Sequence, residues 1–236
     1  MGVFAGPDVI EDGLVLALDP TNTKSYSGTG DTIVDVSNNI GSISKSSGLA
    51  FAGSESQKYF DYDYNVNTDS ITVPHNSVLN YDYANWSYNL WIYRESADQS
   101  GWQQIFIKGS GSNRRPGVWF YSGDTTALHI TWNVQGSGQQ NIGKTAFDIP
   151  IGEWFNIVVQ ARAGTLMAFL NAVKDTNTAN ISERAANSTD LTIGANSTTG
   201  YVSANMRLGY FSAYNISLTD EQIIKNYNAL KTRFGL

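Results

Sequence analysis

Few side chains in this sequence stand at spacings that chemistry requires. Glycoside hydrolysis needs two carboxylates within reach of one bond. A strand can supply them from alternate positions, which share one sheet face. No strand expected here carries that pattern. Asp8, Glu11 and Asp12 precede the first strand, and Glu95 and Asp98 belong to a loop. The only histidines are His75 and His129. There is no nucleophile elbow and no histidine pair at metal-ligand spacing. His75 reads as a strand-end residue and His129 as an ordinary in-strand one. With no cysteine, disulfides and thiolate sites are excluded. The expectation is a protein with no catalytic residues and no organic cofactor.

Two binding chemistries remain. Calcium takes oxygen ligands from carboxylates, amides and carbonyls. Asp19, Asn22, Asp31 and Asp35 fall in one loop region after the first strand, so Asp19, Asp31 and Asp35 are the calcium candidates. The competing reading is that Asp19 and Asp35 fix turns through side-chain-to-backbone bonds. Sugars stack on exposed aromatic rings and take hydrogen bonds from amides and carboxylates. Aromatics make up 12% of the chain. The glycan-contact candidates are Trp102, Trp119, Tyr121 and Trp132, with core or ordinary loop packing as the alternative for each. The Tyr and Asp residues of "YFDYDYNVN" and "NYDYANW" are expected on loops.

The elements that must hold these residues are strands. Short segments alternate apolar and polar residues between Gly, Asn, Asp and Ser. They are residues 13–20, 69–75, 86–95, 103–109, 117–123, 127–136, 154–162, 165–172, 190–195 and 205–215. Pro74 suggests that its strand lies at an edge or ends there. In 86–95, Tyr88, Leu90 and Ile92 oppose Asn89, Trp91 and Tyr93, so both faces should be covered. Trp91 and Trp154 are assigned to packing. Residues 117–132 form a hairpin whose faces depend on the loop at Asp124-Thr125. An even loop puts Trp119 and Tyr121 with Leu128, Ile130 and Trp132. An odd loop swaps the faces and brings Phe120 into the core. One helix is predicted over 219–234, with Thr219 and Gln222 as a capping box, Asp220 and Glu221 in the first turn, and Gly235 as terminator. Ile223, Ile224, Tyr227 and Leu230 recur at helical spacing, and this helix should pack on the sandwich.

The 236 residues carry a formal net charge of −6, and only 15% are charged. Arg114-Arg115, read as a loop pair, is the densest basic spot. This excludes a nucleic-acid or anionic-membrane partner on electrostatic grounds. No apolar run reaches membrane-spanning length. The start, "MGVFAGPDVIEDG", does not read as a secretory leader. The Asn-x-Ser/Thr triplets at Asn85, Asn180, Asn187, Asn196 and Asn215 read as chance in so Asn- and Ser-rich a chain. No linker or fixed-period repeat divides the sequence, so residues 1–236 read as one domain, with 1–12 as an N-terminal extension.

Taken in order, "GLVLALDPTNTKSYSGTGDTIVDVSNN", "ANWSYNLWIYRE", "IGEWFNIVVQARAGTLMAFLNA" and "LTIGA" followed by "MRLGYFSAYNISLTDEQIIKNY" resemble the laminin-G-like, concanavalin A-like lectin/glucanase domain. The resemblance implies an all-β antiparallel two-sheet jelly-roll sandwich with one short C-terminal helix. Two positions depart from the family. Asn171-Ala172 stands where Asn-Gly is usual, so that turn is expected to be remodelled, because alanine at positive φ is costly. Ala204 stands where glycine is frequent. The opening "GPDVIEDGLVLALDPTNTKSYSGTG" most resembles copies of the domain in tailed-bacteriophage virion structural proteins. That implies a non-catalytic virion surface protein, either a capsid decoration or a head, neck or tail-fibre component, made in the bacterial host cytoplasm. Its partners would be capsid or tail proteins, with surface glycans as further partners, and a homo-oligomer is allowed. Met1–Glu11 would either pair along its own sandwich or anchor to a neighbour. The alternatives are a stand-alone carbohydrate-binding module and, with the acids absent, a glycoside hydrolase.

Overall fold

The computed structural model describes residues 8–64, 68–81, 83–96, 101–110, 113–122, 126–134, 137–183, 187–195 and 202–236. Asp98, the Asp124-Thr125 loop, Asn196 and residues 1–7 of the N-terminal extension lie outside them. The strands in chain order are β1 (Leu14–Leu18), β2 (Thr32–Ile33), β3 (Ile43–Lys45), β4 (Ala50–Ser54), β5 (Gln57–Tyr62) and β6 (Ser70–Val73). Then come β7 (Asn85–Arg94), β8 (Gln103–Ser110), β9 (Asn113–Phe120), β10 (Leu128–Val134), β11 (Ser137–Ile142) and β12 (Trp154–Arg162). The last are β13 (Thr165–Leu170), β14 (Val173–Lys174), β15 (Ala179–Asn180), β16 (Leu191–Gly194), β17 (Val202–Ser203) and β18 (Met206–Tyr214), followed by helix α1 (Asp220–Leu230).

Among the described residues these strands make two nine-stranded sheets. The first runs β14-β13-β12-β7-β18-β5-β4, with β1 also on β18 and β15 on β13; the second runs β11-β10-β9-β8-β16-β6-β3-β2. Pairing is antiparallel except where β17 lies parallel to β8. The inner faces enclose one large apolar core. Tyr88, Leu90 and Ile92 of β7 point into it, and Trp86 stacks on Trp132 at 5.3 Å and 13°. One feature differs from the sequence reading. Residues 59–62 of the tyrosine-rich stretch belong to strand β5 rather than a loop, because Phe60 and Tyr62 bury inward. Pro74 marks a strand end, one of its two expected meanings: β6 lies between β16 and β3 and stops at Val73, so no ladder N–H is needed at 74.

The outer face of the first sheet is covered by the chain's own C-terminus. Thr219 caps α1 in a full capping box with Gln222. Ile223 and Leu230 bury, while Ile224 stays 47% exposed and faces solvent. The third inward position is Asn226, whose amide accepts from Ile10 N–H (2.7 Å) and donates to the Tyr214 hydroxyl (3.1 Å). After Leu230 the chain tightens into a 3-10 turn, Lys231–Phe234, which Gly235 terminates with φ 80°. Val9 and Ile10 pack on the same outer face. Trp91 and Trp154 therefore pack as expected, but beneath the helix rather than between the sheets.

The β13–β14 turn is not remodelled. Leu170 pairs with Val173, and the two residues between them, Asn171 (φ 48°) and Ala172 (φ 64°), both take left-handed angles. Each such L-residue costs about 1–2 kcal/mol. The turn is held by the Asn171 side chain, which accepts from Asn156 N–H at 2.8 Å, and by the Asn171 N–H, which donates to the Asn156 carbonyl at 2.9 Å.

Candidate functional site

The outer face of the second sheet is built by the alternation of its strands. Across β6, β16, β8, β9, β10 and β11 one register line reads Ile71, Ile193, Phe106, Val118, Ile130, Ile142, all in the core. The adjacent line reads Thr72, Thr192, Ile107, Gly117, Thr131, Asn141 and points the opposite way. Of these, Thr192, Ile107, Gly117 and Thr131 are buried on this side too, so the line is covered. The β9–β10 register decides what stands on it. Phe120 pairs with Leu128 and Trp119 with His129, so Phe120 enters the core and Trp119 turns outward.

Trp119 packs over Gly117, and a Cβ at position 117 would stand 2.1 Å from its Cη2. The Arg114 guanidinium stands over the Trp119 ring, 4.7 Å from its centroid. His129 stands 5.9 Å from Trp119 and 4.9 Å from Trp102, and Trp102 meets Tyr121 edge-to-face at 5.1 Å. Trp102, Tyr121 and Arg114 are half-buried; Trp119 and His129 are buried. The His129 Nδ1 lies 3.0 Å from the Gly143 carbonyl, a contact that requires the Nδ1–H form and leaves Nε2 as an acceptor. Burial lowers its pKa below the usual imidazole value; the Gly143 hydrogen bond opposes this and the Arg114 charge adds to it. The patch therefore offers two half-exposed rings at right angles, a guanidinium donor and a neutral imidazole.

Three of the four aromatic candidates, Trp102, Trp119 and Tyr121, are brought together here. Trp119 is only 1% exposed, so it is a platform under the patch and has no free face of its own. Trp132 is a correction. It lies on the opposite side of β10, 1% exposed, stacked on Trp86 inside the core, with its indole N–H donating to the Ser182 carbonyl at 3.2 Å. Arg114 and Arg115 are also a correction, since both belong to β9. A register shift between Gly117 and Arg114 turns Arg114 outward, while Arg115 is buried, 5.9 Å from the Trp132 ring. The sequence reading missed Arg114 and His129 as members of the patch. The signal was in the odd-loop register, which places His129 opposite Trp119.

The calcium candidates do not converge. Asp35, 1% exposed, accepts from the N–H groups of Ala17, Ser37, Asn39 and Ile40 and from the Ser37 hydroxyl, all at 2.8–3.0 Å. Asp19 accepts from Thr21 N–H and forms a two-oxygen ion pair with Arg233 at 2.9 and 3.0 Å. Asp31 is exposed and pairs with Lys45 at 3.2 Å. Asn22 folds its own turn through Lys24 N–H. Each oxygen set already serves another partner, and among the described residues no group of three or more acidic, His or Cys side chains could hold a metal.

The acids that come together do so around a cation. Arg207 of β18 pairs with Glu95 and, at 3.8 Å, with Asp61, and it stacks on Tyr93 and Tyr59 at 4.7 and 5.0 Å. Burial raises the Asp61 pKa, Arg207 opposes this, and Glu95 adds to it.

A laminin-G family model described as the concanavalin A-like lectin/glucanases superfamily matches residues 65–224. No curated protein matches the chain. Among solved structures, the binding domain of Paraclostridial Mosquitocidal Protein 1 shares 16% identity at TM-score 0.71, over 93% of this chain and 52% of that one. A structure of botulinum neurotoxin type C, whose cell entry depends on two ganglioside molecules, shares 18% at 0.69, over 94% and 52%. The binding domain of botulinum neurotoxin DC, in complex with rat synaptotagmin II, shares 17% at 0.70, over 94% and 52%. The chain thus spans about half the length of these structures, and the likeness is one of fold: an antiparallel jelly-roll sandwich.

Proposed function

The chain belongs to the concanavalin A-like lectin/glucanase superfamily, and on that premise we propose that it is a non-catalytic binding module that takes glycan at the aromatic patch of its second sheet. The observation that carries this reading is the Trp102–Tyr121 pair, half-exposed and held at right angles over a buried Trp119–His129 base. A sugar ring would lie its apolar face on Trp102, with Arg114 donating and His129 Nε2 accepting hydrogen bonds from its hydroxyls. The opposite sheet is closed by α1 and does not compete. The non-catalytic part is supported by Arg207, which stands between Asp61 and Glu95 and occupies them in ion pairs. Of the toxins of the same fold, one depends for cell entry on interaction with two ganglioside molecules and another is in complex with rat synaptotagmin II, which favours binding as the use of this scaffold.

The test is a glycan array with and without calcium, followed by titration of its hits. Trp102→Ala should weaken binding about two- to tenfold, the loss of one stacked ring, and Trp102→Phe should retain part of it. No hits on the array, or an unchanged affinity in Trp102→Ala, would remove the proposal.

Within this reading we place the module, residues 1–236 acting as one domain, on the surface of a tailed-phage virion. It would be attached there to capsid or tail proteins, with self-association through repeated copies. Its support is the resemblance of the opening stretch to such proteins. Mass spectrometry of purified particles should find the chain in a fixed ratio to a capsid or tail protein. Its consistent absence from particles would leave the binding module without this location.

A further inference from the structure

Beside the helix-covered part of the first sheet, a cleft of about 470 Å³ opens at β1, a volume in the usual range for a ligand site. Its floor includes Ala17 of β1 and Tyr210 of β18, both buried. Aliphatic side chains wall it: Val9 and Leu14 from the N-terminal stretch, Val34 and Val36 from the stretch hydrogen-bonded beside β1. Val34 is 48% exposed, too open to be core packing.

The two ends of the cleft carry opposite charges. Leu14 N–H donates to the Glu11 carbonyl, which holds Glu11 at the Leu14 end of β1. Asn22 N–H donates to the Asp19 carbonyl and Lys24 N–H to Asn22 Oδ1, which holds Lys24 at the other end. The extended chain from Leu14 to Asp19 covers about 16 Å. Glu11 and Lys24 both line the cleft, both are exposed, and neither has an ion-pair partner among the described residues. The other acids of the lining are already engaged. Arg233 holds both oxygens of Asp19, and five donors fill Asp35.

We propose that this cleft binds an extended peptide segment of about four residues, aliphatic in its side chains, with an ammonium group at the Glu11 end and a carboxylate at the Lys24 end. At about 3.3 Å per residue, four residues and their charged ends span the distance between the two side chains. The lining argues against other ligands. A sugar needs an exposed ring to stack on, and Tyr210, the aromatic among the described lining residues, is 3% exposed. A polyanion needs several cations together and would meet Glu11. The site does not rest on the glycan reading, since the aromatic patch belongs to the other sheet.

The experiment titrates the full chain with the tetrapeptide Val-Ala-Val-Ala, free at both termini, and follows amide shifts by NMR. Saturating shifts are expected at Ala17, Val34 and Val36, and none at Trp102 or Tyr121. Acetylating the peptide's N-terminus should weaken binding about two- to fivefold, the effect of one exposed ion pair, and amidating its C-terminus should do the same. Glu11→Gln should no longer distinguish the acetylated peptide, nor Lys24→Gln the amidated one; both side chains are exposed, so both variants should fold. Trp102→Ala should bind the peptide as wild type does, which separates this site from the glycan patch. No saturating shifts at millimolar peptide would overturn the site, as would a doubly capped peptide that binds as tightly as the free one. Shifts at the same residues from methyl glucoside would assign the cleft to sugars and overturn the peptide reading.

Discussion

Replacing Asp35 with alanine should lower stability by about 3–4 kcal/mol, a fall in Tm of roughly 10 °C. The carboxylate gathers four backbone N–H groups and one hydroxyl, and so folds the 35–40 loop against β1. Alanine leaves those donors without an acceptor. Those near the surface can turn to water, but the Ala17 and Ile40 N–H groups are buried. An unmet buried donor costs about 1–3 kcal/mol, and hydrogen bonds to a charged acceptor are the stronger kind. Asp35→Asn keeps one acceptor oxygen and should lose about half as much. Melting curves with calcium and with chelator should coincide for wild type and variant. A Tm that rises with calcium would restore the metal reading of this loop, and an unchanged Tm in Asp35→Ala would refute the hydrogen-bond account.

The second large effect is expected at Trp91. Its indole is fully buried on the outer face of the first sheet, stacked on Phe234 at 4.5 Å and on Tyr227 at 5.5 Å, each with a 12° interplanar angle. Trp91→Ala should cost about 3–5 kcal/mol, the usual range for truncating a buried Trp. It should also release the C-terminal segment, because an 11-residue helix is marginal without a surface to pack on. Gly209→Val reaches the same contact from below, since a Cβ at 209 would collide with Phe234 and meet Trp154 at 3.0 Å. Both variants should show faster amide exchange across Asp220–Phe234 while the β8–β10 sheet keeps its protection. Global unfolding without this selective release would show that the helix is not a separable cover.

The helix illustrates what was legible in the chain. Thr219 and Gln222 sit three residues apart, Asp220 and Glu221 follow the cap, and Gly235 ends the segment; each signal acts within a few residues, and each is realised. The face of the helix was less legible. Ile223 and Ile224 are equally apolar, yet only Ile223 buries, and the polar Asn226 takes the inward place because Ile10 and Tyr214 supply its hydrogen bonds. Those partners lie 216 and 12 residues away.

The candidate face shows the same division more sharply. Composition and alternation determined that this chain makes stacked antiparallel layers, because a strand's period of two is written in consecutive residues. The sequence also determined that Trp102, Trp119, Tyr121 and Trp132 lie in or beside one hairpin. It could not determine which of them face solvent, because a one-residue difference across a loop exchanges every side chain between core and surface. Only the tertiary pairing of Trp119 with His129 set that choice. It sent Trp132 against Trp86, drew Arg115 inward toward Lys108, and left Trp102 and Tyr121 outside. The roles of Asp19, Asp31 and Asp35 were decided in the same way, by the distant Arg233, Lys45 and Ala17 that reach them first.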